Sequence, residues 1–83
     1  MSEPSVFGRR LKAFRQRAGL SQNKLSELSG VPRPTINLVE SGQQSGMSME
    51  NVVKIADALG ISLDLLVRGD VLEDGPRLAA ATV

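Results

Sequence analysis

Eighty-three residues are enough for one domain with a single small core. The chain has no Cys, His, Tyr or Trp, which excludes disulfides and thiolate metal sites and removes the commonest general base and the strongest base-stacking platforms. The net charge of +1 hides a polarity: residues 1–33 carry Arg9, Arg10, Lys12, Arg15, Arg17, Lys24 and Arg33 against Glu3 and Glu27, whereas 34–83 carry three cations against seven anions, so that about +5 faces about −4, as expected of a surface built for a polyanion.

Five helical segments follow in chain order. Phe7, Leu11, Phe14 and Ala18 recur at helical spacing and predict a first helix over 5–18, closed by Gly19. Ser21 fits the N-cap of a second, short helix through 29, with Leu25 and Leu28 inward and Gly30 at its end. The third runs from 32 or 33 to 41 and stops at Gly42; Pro32 and Pro34 lie in or beside its first turn, where N–H groups lack intrahelical acceptors. After the loop Gly42-Gln43-Gln44-Ser45-Gly46, Ser48 caps a fourth helix to 59, with Val52, Ile55, Ala56 and Leu59 inward and Gly60 stopping it. Ser62 caps a fifth through 67. Residues 1–69 make the expected domain, and 70–83, with Gly75-Pro76 and a run of alanines, the expected tail, either weakly ordered or contributing to dimer or partner contacts. The class is all-α.

The second and third helices meet across Ser29-Gly30-Val31, a turn short enough to force a steep angle, which is the helix-turn-helix arrangement. Helices four and five begin with an acid in the first turn, Glu50 and Asp64. Helices two and three begin with Gln22-Asn23-Lys24 and Arg33-Pro34-Thr35, leaving positive ends that suit a backbone phosphate. On the third helix Ile36 and Val39 mark the core face, so Arg33, Pro34, Asn37 and Leu38 fall on or near the other side. Arg suits a guanine edge, Asn an adenine, and an exposed Leu or Pro a thymine methyl. Read alone, each feature is equally that of an ordinary helical corner with a solvated charge.

Together, Leu20-Ser21-Gln22 with Leu25, Gly30-Val31, Thr35-Ile36, Glu40-Ser41-Gly42 and the run from Ile55 to Leu66 resemble the Cro-repressor and xenobiotic-response-element (XRE) helix-turn-helix family, over most of the chain. The resemblance implies a compact five-helix, lambda-repressor-like domain, with helix two over the DNA backbone and helix three in the major groove. It implies base reading by Arg33, Pro34 and Leu38, with Thr35 and Asn37 nearby, and a phosphate contact by Gln22 at the start of helix two; Asn23 and Thr35 are expected phosphate ligands as well. It implies phosphate contacts through backbone N–H groups and side chains of the loop Ser41, Gly42, Gln43 and Gln44. Arg15 and Glu40 correspond to a structural ion pair, and Arg10 and Lys12 are expected phosphate ligands on helix one. Pro32 and Pro34 depart from the family's polar residues around this helix start and remove hydrogen-bond donors.

Leu65, Val67, Val71 and Leu72 exceed what so short a helix can hide, and are expected to form a homodimer interface. The expected function is that of a dimeric repressor reading an inverted-repeat operator in double-stranded DNA. The resemblance admits a second reading, an antitoxin that binds its operator and also a toxin protein through 70–83. Ser21-Gln22-Asn23-Lys24 matches the Ser-x-x-Lys motif of some acyl-transfer enzymes, but Ser21 is better explained as a cap and no partner motif exists. The dispersed acids give no metal constellation, so neither catalysis, a cofactor nor a metal is expected. The apolar runs are too short to span a bilayer and Met1-Ser2-Glu3-Pro4 lacks a secretory pattern, which makes the cytoplasm the expected location.

Overall fold

The computed structural model describes residues 6–68, which form five helices, three of them started by serine caps. They are α1 (Val6–Arg17), α2 (Gln22–Ser29), α3 (Arg33–Ser41), α4 (Met49–Leu59) and α5 (Leu63–Arg68), with no strand among the described residues. Residues 70–83, expected as a tail and including Val71 and Leu72, lie outside the described part. Ser21, Ser48 and Ser62 each accept a hydrogen bond from the backbone N–H three residues on, at 3.0, 3.2 and 3.0 Å, satisfying donors that a helix start leaves open.

The turn between α2 and α3 is built from side chains as well as glycine. Gly30 takes φ 82° and donates its N–H to Ser26 O at 2.8 Å, a left-handed conformation that strains any residue with a Cβ. Val31 follows, fully buried. Its own polar backbone is satisfied locally: Val31 O accepts from Ser26 Oγ at 2.6 Å and Val31 N–H donates to Ser29 Oγ at 3.1 Å. A hydrophobic side chain can therefore enter the core at a tight turn without orphaned backbone groups.

α1 packs on α3 and α5, α2 on α3 and α4, and α4 on α5. Leu11, Phe14, Leu25, Val31, Ile36, Val39, Val52, Ile55, Ala56 and Leu66 form the core, with Phe7, Leu20, Leu59 and Leu65 packed against it. Two inward assignments are corrected. Ala18 is exposed because α1 ends one residue earlier. Leu28 is 53% exposed, and the buried apolar residue at this end of α2 is Val31 of the turn instead.

Candidate nucleic-acid interface

The site is anchored from inside. Arg15 on α1 meets Glu40 on α3 in a bidentate pair, Nε to Oε2 at 2.7 Å and Nη2 to Oε1 at 2.8 Å, while Nη1 donates to Leu20 O at 2.8 Å. The Glu40 side chain is only 4% exposed and that of Arg15 11%. Its hydrogen bond to Glu40, aided by the nearby negative charge, raises the Arg15 pKa above its ordinary value against the opposing effect of burial, so the guanidinium is always charged. This pair ties α1 to the last turn of α3.

From Glu40 a chain of hydrogen bonds reaches the surface. Gln22 Nε2 donates to Glu40 Oε1 at 3.1 Å, and Gln22 Oε1 accepts from Asn37 Nδ2 at 3.2 Å. Lys12, Arg15, Gln22, Asn37, Glu40 and Ser41 line a notch of about 200 Å³ there. Lys12 and Glu40 also border a second groove, of about 350 Å³, with Arg9, Ala13 and Gln16. Arg9, Lys12 and Gln16 lie at i, i+3 and i+7 on α1 and so form one stripe. Sequence reading passed over Arg9 and Gln16, although the same spacing from Lys12 would have found them.

Arg10 is corrected. It lies about 200° around the helix from Lys12, and its Nη1 donates to Val67 O at the end of α5 at 2.6 Å. The guanidinium thus caps a helix C-terminus, where a cation is favoured, on a face other than that of the notch.

At the start of α3, Arg33, Pro34 and Asn37 are exposed, and Thr35 and Leu38 half-buried. Pro32 occupies the cap position without a side-chain cap bond, Thr35 N–H turns back to Pro32 O at 3.0 Å, and Pro34 has no N–H. The expected anion-attracting end is therefore much reduced at α3. At α2, Asn23 is exposed in the first turn, where the Ser21 hydroxyl takes the N–H of Lys24 and the Ser21 carbonyl that of Leu25.

The loop expectation is also corrected in part. The N–H groups of Gln43 and Gln44 both donate to Leu38 O at 3.0 Å, and that of Gly42 to Val39 O at 3.2 Å, closing the end of α3 around Gly42 at φ 88°. These amides serve the helix C-cap. Ser41 Oγ donates to Leu38 O and accepts from Gln43 Nε2, each at 3.2 Å, and both side chains stay exposed. Half-buried Gln44 turns its Nε2 to Gly46 O at 2.6 Å. Of this loop, only Ser41 and Gln43 among the expected residues keep their side chains at the surface.

Of the expected dimer residues, Val67 is 44% exposed, Leu65 is half-buried against its own core, and Val71 and Leu72 lie outside the described residues. Among the described residues there is no cluster of metal-ligating side chains, and no helix is long and apolar enough to cross a membrane.

Known proteins share this fold. The helix-turn-helix family model matches residues 11–66. The HTH-type transcriptional regulator YonR, SPbeta prophage-derived, from Bacillus subtilis, is 31% identical over 64 residues, which cover 77% of this chain and 58% of YonR. Bacillus subtilis SinR, another HTH-type transcriptional regulator, is 27% identical over 75% of this chain and 56% of its own length. The chain thus spans little more than half of these relatives. The restriction-modification controller protein C.AhdI of Aeromonas hydrophila superposes with a TM-score of 0.68 at 43% identity, covering 72% of this chain and 89% of that one. SinR, solved in complex with DNA and described as the master regulator for biofilm formation, gives 0.72 at 27% identity over 75% of this chain and 98% of that structure. The chain belongs to the XRE, Cro-repressor type of the helix-turn-helix family.

Proposed function

We propose that this chain binds double-stranded DNA sequence-specifically and acts as a homodimeric transcriptional repressor. The observation that carries the reading is the single face holding Lys12, Gln22, Asn37 and Ser41, fixed from behind by the Arg15–Glu40 pair. Arg33 stands one turn before Asn37 on α3, so both project from the same side. α3, nine residues and about 13 Å long, lies in a major groove about 12 Å wide. Lys12, the second Nε2 hydrogen of Gln22, Asn23, Ser41 and Gln43 meet phosphates, and Arg9 and Gln16 continue the track along α1. Such contacts set register, and base edges are read by Arg33 and Asn37, with apolar contact from Pro34 and Leu38.

Pro32 and Pro34 flank Arg33 and donate no N–H, which concentrates hydrogen-bonded base reading on Arg33 at the tip of the helix. The SinR–DNA complex supports the DNA assignment by likeness of fold. A two-fold dimer through the exposed apolar side of α5, with Leu63 and Val67, sets two recognition helices about one DNA turn apart on an inverted repeat.

Selection from a random pool of DNA duplexes, followed by Arg33→Ala measured on three duplexes, tests this. On the enriched duplex the variant loses about ten- to hundredfold, the discrimination of a bidentate Arg–guanine contact, and it loses far less on unrelated DNA or once the guanine is changed. Equal losses on all three would make Arg33 a phosphate ligand, and a pool with no enriched sequence would overturn the function.

A further inference from the structure

Glu40 is a buried carboxylate on a DNA-facing helix, and its reach extends past its ion pair. A carboxylate paired with Arg15 has only acceptors to offer. The atom of Gln22 that faces Glu40 Oε1 at 3.1 Å must therefore be Nε2, the donor. That choice turns Gln22 Oε1 toward Asn37, and because Oε1 can only accept, Asn37 must meet it with Nδ2, as it does at 3.2 Å. The polarity of both amides is thus dictated by one carboxylate, itself locked by two short bonds from Arg15 at 2.7 and 2.8 Å.

We propose that Gln22 is a positioning residue for base recognition: it presets the Asn37 amide so that Oδ1 and the second Nδ2 hydrogen face the groove as an acceptor–donor pair. This rests on the DNA-binding function proposed above. An acceptor beside a donor complements the N6 amino group and N7 of adenine in the major groove. In free solution an exposed Asn samples both amide orientations and several rotamers, and fixing it beforehand removes that freedom before DNA arrives. Gln22 consequently has three partners: one Nε2 hydrogen goes to Glu40, the other to a phosphate, and its oxygen holds Asn37. Phosphate anchoring and the reading of one base pair are coupled through a single side chain.

Gln22→Met keeps the length of the side chain and removes both polar atoms; the Arg15–Glu40 pair is left in place. The probe is the duplex most enriched from a random pool by the wild-type chain, with each base pair then changed in turn. Ratios of affinity between the parent and changed duplexes cancel any uniform loss of phosphate contact. Asn37→Ala should lower the ratio at one A·T pair in each half-site by about fivefold or more. Gln22→Met should lower it at that same pair, and the double variant no further than Asn37→Ala alone. In the free protein, the side-chain amide hydrogens of Asn37 should shift and exchange faster in Gln22→Met, a readout independent of DNA. A Gln22→Met profile parallel to wild type, or Asn37 amide signals that do not move, would overturn the proposal. If the wild type enriches no duplex, DNA binding itself fails and base positioning falls with it, and the amide signals then report only on the hydrogen bond.

Discussion

Replacing Arg15 by Met removes one partner of the buried pair and leaves Glu40, 4% exposed, with Gln22 as its remaining side-chain donor. Leaving a charge buried without its partner costs about 3–5 kcal/mol, and the Leu20 carbonyl loses its bond to Nη1 as well. A chain of 83 residues has a total stability of about 4–12 kcal/mol, so the loss consumes a large share of it. With about 4–8 °C per kcal/mol for a domain of this size, the melting temperature of Arg15→Met should fall by at least about 12 °C in a circular-dichroism melt. The double variant Arg15→Met, Glu40→Leu removes both charges and should recover most of that loss, since apolar side chains of similar volume replace a buried pair at little or no net cost. The recovered domain should still discriminate poorly at the base pair read by Asn37, because nothing then orients Gln22. A drop under about 4 °C for Arg15→Met, or a double variant no more stable than the single one, would refute the view that the pair's worth lies in mutual neutralisation.

Lys12→Ala should reduce the slope of log affinity against log salt by about 0.9, the value of one phosphate contact, whereas Arg10→Ala should leave the slope intact and lower stability by about 1 kcal/mol through loss of its bond to Val67 O. A reduced slope in Arg10→Ala would return that residue to the interface. Val67→Asp places a charge on the exposed apolar side of α5 and should shift sedimentation toward monomer while leaving the melt little changed; an unaltered dimer would put the interface elsewhere. Gly30→Ala has open space for its Cβ but holds φ at 82°, so it should lose about 1–2 kcal/mol from backbone strain alone.

The contrast between Arg9 and Arg10 shows how an adjacent pair of like charges divides its duties. Arg9 shares a groove with Lys12 and Gln16, while Arg10 reaches the carbonyl end of α5. Similarly, Ser41 and Gln43 keep side chains at the surface although the amides of the same loop are committed to closing α3. Net charge and composition cannot make either distinction, because both depend on which neighbour lies beneath the side chain.

What the sequence by itself determined is what local chemistry controls. Ser21, Ser48 and Ser62 start helices and Gly30, Gly42 and Gly60 end them through bonds spanning three to six residues, so all five helices could be placed to within a residue or so at each end. The all-α class and the short turn around Gly30 followed from the same local features, and the family from the resemblance of the motifs between Leu20 and Leu66. Helical spacing also marked Leu25, Ile36, Val39, Val52, Ile55 and Ala56 as buried, but only the tertiary structure decided the faces at helix ends and the partners of polar side chains. Leu28 has the spacing of a core residue yet stays exposed, since Val31 is the residue buried at that end of α2. Gln22 and Asn37 are fifteen residues apart, and their bond exists because the α2–α3 turn brings the two helix faces together. Glu40 sets the direction of that bond from the core, through contacts 18 and 25 residues distant in sequence. A cap is satisfied within one turn of chain, whereas the orientation of an amide is fixed by partners that folding alone assembles.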